Sequence, residues 1–153
     1  MIQLWEVFEV LESYKSIDRH VNTIPHLTSP FSALLYCDEE SSVDRMNSYC
    51  DLLIASGCKY FHAIGKNHMK WHIAFDEANI RHAPALNDDD VISTVSDEEL
   101  EYDAIENWVM LSEHTIHEIN TGLVIYETEF QLYKTDCYFR QANHVVSIEI
   151  DFP

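Results

Sequence analysis

Apolar residues recur along this chain in two alternating rhythms. FSALLYC (31–37), CKYFHAIG (58–65), VISTV (91–95) and LVIYE (123–127) are short apolar or β-branched runs, which predict strands. Between them the apolar positions fall three and four apart, the spacing of a helix face. Met46, Tyr49, Cys50, Leu53 and Ile54 predict a helix over 43–55, and Trp71, Ala74, Phe75 and Ala78 one over 68–80. Ile105, Trp108, Val109 and Leu111 mark a third, opened by Ser96-Asp97-Glu98-Glu99 and running to about Ser112. Gly57 suits the position past the first helix, Asn67 can cap the second, and Ser96 with Glu99 has capping-box spacing for the third.

The two ends carry weaker patterns. Leu4, Phe8 and Leu11 lie at helical spacing within 1–17, although Val7, Phe8 and Val10 also suit a strand. Residues 18–30, with Pro25, Thr28, Ser29 and Pro30, have the composition of a connector. FQLYKTDCYF and HVVSIEIDF in the tail both look strand-like, the second alternating over Val146, Ile148, Ile150 and Phe152. The expectation is a single three-layer α/β domain over 1–153: a mostly parallel sheet of about four strands, flanking helices and C-terminal antiparallel edge strands. Within it, 1–29 form an N-terminal helix and connector, 30–129 the βα core, and 130–153 the C-terminal strands.

Composition narrows the class. At 153 residues and 46% hydrophobic the chain is long enough to bury a core, and no apolar run approaches the ~20 residues of a membrane helix. Glu6, Glu9 and Glu12 sit where a secretion signal would be basic and apolar, so a cytoplasmic protein is expected. Cys37, Cys50, Cys58 and Cys137 form no CxxC pair and read as free thiols.

Charge changes the picture most. Nine Lys and Arg stand against 27 Asp and Glu, for a net −18, and between Arg81 and Lys134 there is no Lys or Arg. Such a field repels nucleic acid and draws in cationic partners. The expected function is therefore a non-catalytic binding protein that neutralises a basic protein, a bacterial immunity protein or antitoxin blocking a nuclease-type toxin domain. Asp88, Asp89, Asp90, Asp97, Glu98, Glu99, Glu101 and Asp103 are the expected contacts. A DNA-mimicking decoy of restriction or defence proteins shares this charge logic. Neither reading calls for a cofactor, a membrane or direct nucleic-acid binding, and the sequence sets no oligomeric state.

Other chemistry is thinly marked. In open α/β sheets ligands sit beyond the carboxyl ends of the strands, here Cys37-Asp38-Glu39, Gly65-Lys66-Asn67-His68, Ser96-Asp97 and Glu127. GKNH at 65–68 opens a helix but lacks the repeated glycines of a phosphate loop. His68, His72 and Asp76, at i, i+4 and i+8, could offer a metal two imidazoles and a carboxylate, the basis of an alternative small enzyme or metal-dependent sensor. Cys37 lies beside Asp38, Glu39 and Glu40, whose charge disfavours a nucleophilic thiolate. Trp71 and Trp108 read as core residues.

The middle of the chain, about 30–127, resembles a family of small bacterial α/β proteins of unknown function. The resemblance rests on Pro30-Phe31-Ser32-Ala33-Leu34-Leu35, Ser56-Gly57-Cys58-Lys59-Tyr60, Ala63-Ile64-Gly65, Trp71, Asp76-Glu77-Ala78-Asn79 and Val91-Ile92-Ser93-Thr94. Members tend to carry Trp at the position of Ile64 and Cys at that of His68. The resemblance implies the fold and no activity.

Overall fold

Phe31–Tyr36 contains no charged residue and all six of its side chains are buried, as a central parallel strand requires. The structure, a computed structural model, describes residues 13–20, 23–24, 26–27, 30–82, 93–98, 101–113, 119, 121–141 and 147–150. In chain order these give β1 (Ser13–Asp18), β2 (Phe31–Tyr36), α1 (Val43–Ala55), β3 (Cys58–Ile64) and α2 (His68–His82). There follow β4 (Ser93–Asp97), α3 (Glu101–Glu113), β5 (Thr121–Tyr126), α4 (Glu129–Gln141) and β6 (Ser147–Ile150). The six strands form one sheet in the order β4-β3-β2-β5-β1-β6, and every neighbouring pair is parallel.

The two-residue period of the strands divides the core into two layers. Phe31, Ala33, Leu35, Phe61, Ala63, Leu123 and Ile125 face one side and pack with Met46, Cys50 and Leu53 of α1 and Trp71, Phe75 and Ala78 of α2. Leu34, Tyr36, Tyr60, Ile64, Val124 and Tyr126 face the other, against Ala104, Ile105, Trp108 and Val109 of α3 and Leu132 of α4. Phe61 and Phe75 stack at 4.3 Å in the first layer. In the second, the Trp108 indole N–H donates to Ser32 Oγ at 2.7 Å, and Ser32 Oγ lies 2.7 Å from Ser112 Oγ, so the buried polar atoms satisfy one another. Full burial of a side chain such as Phe61 or Leu53 contributes about 1.5–3 kcal/mol.

Helix α1 starts where the apolar spacing places it. Ser42 Oγ accepts from Arg45 N at 3.2 Å, and Gly57 follows the helix at φ 104°, a left-handed conformation that favours glycine.

Both ends of the chain depart from the sequence reading. Ser13–Asp18, expected within a helix and connector, is a strand lying between β5 and β6; residues 1–12 lie outside the described residues. FQLYKTDCYF, expected as a strand, falls within α4. Among the described residues the tail therefore gives one strand, β6, and it runs parallel to β1 instead of antiparallel. Helix α3 begins at Glu101, because Ser96 and Asp97 continue β4; Glu99 lies outside the described residues.

Candidate functional site

Because all six strands are parallel, their carboxyl ends share one edge of the sheet. The chain leaves β2 for α1 on one face and leaves β5 for α4 on the other. β2 and β5 are neighbours, so the winding reverses between them, which is where open α/β sheets hold ligands.

Glu127, just past β5, ties that junction together. Its side chain is fully buried, and its Oε1 accepts the Asp38 amide at 2.7 Å while Oε2 accepts the Glu39 amide at 3.0 Å. Arg19, just past β1 and 3% exposed, brings Nε within 3.4 Å of Glu127 Oε2. The guanidinium carbon stands 5.7 Å from the Trp71 ring centroid, a cation–π distance. His20 projects to the surface and spans two carboxylates, with Nδ1 2.6 Å from Asp18 Oδ1 and Nε2 2.7 Å from Glu39 Oε2. Its pKa is raised, first by the Glu39 hydrogen bond and then by Asp18, against the opposing effect of burial.

The surrounding loops are fixed by equally local chemistry. Thr128 Oγ1 accepts from Gln131 N at 3.3 Å and Gln131 Oε1 accepts from Thr128 N at 3.0 Å, a capping box that starts α4 beside Glu127. The Asn67 side-chain amide donates to the carbonyls of Asp38 and Glu39, so Asn67 fastens the β2 loop to the start of α2. Gly65 sits at φ 128°, and a Cβ there would come within 2.7 Å of Asp38 Oδ1 and 3.0 Å of the Cys37 carbonyl carbon. That turn demands glycine.

The expected metal ligands do not converge. His68 Nδ1 lies 3.0 Å from Gly65 O, while His72 Nε2 pairs with Asp76 Oδ2 at 3.3 Å and Asp76 Oδ1 accepts from Thr94 at 2.8 Å. Among the described residues no three His, Cys, Asp or Glu side chains are placed to share a metal ion. His62 lies on the opposite side of the sheet from α2, fully buried, with both ring nitrogens unpartnered and its pKa lowered by burial to about 4. Cys37 is a buried free thiol whose Sγ donates to Ile64 O at 3.3 Å, and burial, with Glu127 and Asp38, raises its pKa.

The acidic candidates divide differently. Asp97 ends β4, Glu98 and Asp103 are exposed, and Glu101 opens α3. Asp88, Asp89, Asp90 and Glu99 lie outside the described residues. Asp97 and Glu98 fall on the same strand-end edge as Asp18, Asp38, Glu39 and Glu40. The sequence pointed to Asp38, Glu39 and Glu127 as strand ends but gave no signal for Arg19 or His20, which follow a strand it did not mark.

The fold and this edge define a doubly wound α/β protein with a carboxylate-rich junction at its switch point. A family model described as a domain of unknown function, DUF7684, matches residues 14–133, and the chain belongs to that family. No curated protein and no solved structure matches it.

Proposed function

We propose that this chain is a non-catalytic acidic binding protein that neutralises a basic partner in the cytoplasm, acting as a bacterial immunity protein or antitoxin toward a nuclease-type toxin domain. One observation carries the reading: Asp18 and Asp97 end strands, and Asp38, Glu39, Glu40 and Glu98 follow strand ends, along a single edge in a chain of net −18. Of the described cations near that edge, Arg19 is buried near Glu127 and Lys70 pairs with Glu40 at 3.1 Å, while Lys66 and Arg45 are exposed. Nucleases present Lys and Arg to phosphates, so a rigid acidic edge can fill such a site and associate quickly through steering.

The test is capture of a partner from the native host, followed by association kinetics across a salt series. Asp97→Asn, Glu98→Gln, Glu101→Gln and Asp103→Asn in one chain should slow association about tenfold and flatten its salt dependence. Kinetics identical to the unmodified chain would refute this contact surface. A single stoichiometric basic partner fits the inhibitor; several DNA-binding partners would favour the DNA-mimicking decoy.

A further inference from the structure

Arg19 is held less well than its burial requires. Its Nη2 is 3.5 Å from Glu39 Oε2, and Nε, 3.4 Å from Glu127 Oε2, makes no hydrogen bond. A guanidinium facing a carboxylate usually closes two parallel bonds of about 2.7–2.9 Å. Glu127 cannot turn to provide them, because both its oxygens hold the backbone amides of Asp38 and Glu39. Glu39 does not provide them either: the oxygen that approaches Arg19 is the one 2.7 Å from His20 Nε2, and its side chain is 45% exposed. A permanently charged, buried donor fork is thus engaged by a carboxylate that reaches in from solvent.

We propose that Arg19 and His20 form a receptor for the carboxylate of a bound molecule, and that Glu39 fills that position in the free protein. The exchange replaces one carboxylate by another beside Arg19 Nη2 and His20 Nε2, and Glu39 carries its own charge out into solvent. Glu39 gives up a long 3.5 Å contact to Arg19 and a half-exposed contact to His20, which solvent weakens. The incoming group can set one oxygen on Arg19 Nη2 and the other on His20 Nε2, where Glu39 stretches a single oxygen across both. It would lie over the carboxyl ends of β1 and β2, on the edge where parallel sheets place their ligands. The site needs neither the acids of 88–103 nor a basic partner, so it stands or falls apart from the inhibitor reading.

A free small carboxylate and the terminal carboxylate of a peptide share this chemistry. The experiment titrates the full chain with succinate, with trialanine and with trialanine amide, using calorimetry and the Arg19 Nε–H and Trp71 Nε1–H signals in NMR spectra. Glu39→Gln removes the resident charge and keeps the backbone amide that Glu127 accepts. It should bind succinate or free trialanine about tenfold more tightly than the unmodified chain, with both signals shifting. Adding the exposed His20→Gln change should weaken that binding at least about fivefold. Succinate alone binding assigns a free ligand; free trialanine binding while its amide stays silent assigns a peptide terminus. A folded Glu39→Gln chain that binds neither at about 10 mM overturns the proposal. Equal binding of the amide, or indifference to His20→Gln, overturns it as well.

Discussion

Two buried polar centres sit in one sheet and are built on opposite terms. At the carboxyl edge Glu127 is surrounded by donors: two backbone amides, the Gln131 side chain at 3.4 Å and the Arg19 guanidinium. On the α3/α4 face His62 lies between Tyr60 and Ile64 along its strand and between Leu34 and Val95 across it, and neither nitrogen has a partner. Glu127 is a charge that the fold has organised itself around. His62 is a polar ring the fold tolerates by keeping it neutral, with Asp97 too weak an influence to reverse the effect of burial. Burial of an ionisable group therefore says little by itself about function; what matters is whether partners converge on it.

The contrast is broken most directly at Glu127. Glu127→Ala leaves the Arg19 charge without its buried carboxylate and orphans the amides of Asp38 and Glu39. Truncating one partner of a buried pair costs about 3–5 kcal/mol. Urea unfolding should register a loss of that size, a large fraction of the stability of a domain this length. A loss below about 1 kcal/mol would mean that the β2 loop relaxes around the change and that Glu127 is not its anchor.

His62 should behave in the opposite sense. Its folded pKa of about 4 lies below the ordinary 6.5, so between those values the unfolded chain binds more protons than the folded one. Stability therefore falls as pH drops through that window, and a shift of this size is worth roughly 3 kcal/mol between pH 7 and pH 4. His62→Leu removes two unpartnered nitrogens at similar volume. It should hold stability at pH 7 or raise it by about 1 kcal/mol, and lose this part of the acid dependence. The check is the difference between the two chains across a pH series of denaturant midpoints, which cancels the carboxylates common to both. Parallel curves would mean that His62 is hydrated or paired in solution.

The same contrast separates what was readable in the sequence from what was not. β2, α1, β3 and α2 follow from apolar runs and three-four spacing, because their burial is apolar and leaves its mark residue by residue. β1 leaves no such mark: SYKSID has one aliphatic residue, Ile17, yet it lies inside the sheet between β5 and β6. Missing β1 concealed Arg19 and His20, since a site at strand ends is invisible until the strand is. α4 was legible after all in Thr128-x-x-Gln131, but the aromatic and aliphatic residues of FQLYKTDCYF also fit a strand. That one substitution of strand for helix reversed the tail as well. With α4 as a crossover helix, β5-α4-β6 is a βαβ connection and β6 runs parallel with the other strands.

The smallest effect sharpens the comparison from the solvent side. His20 is shifted the other way from His62: its pKa is raised, first by the Glu39 hydrogen bond and then by that to Asp18, against the opposing effect of burial. The folded chain therefore holds this proton more firmly than the unfolded chain. Its contribution is fully present below pH 6.5 and fades as pH rises through the higher folded value, opposite in sign to that of His62. The ring and the Glu39 carboxylate are each 45% exposed, so solvent screens the pair and its worth stays under about 1 kcal/mol. His20→Gln should accordingly lower the midpoint slightly at pH 6, leave it nearly unchanged at pH 9, and lose more in low salt than in high. A loss that is the same at both pH values would assign His20 a packing role in place of an ionic one. A loss as large as that of Glu127→Ala would merge the two groups into a single centre and remove the distinction between a buried anchor and an exchangeable surface clasp.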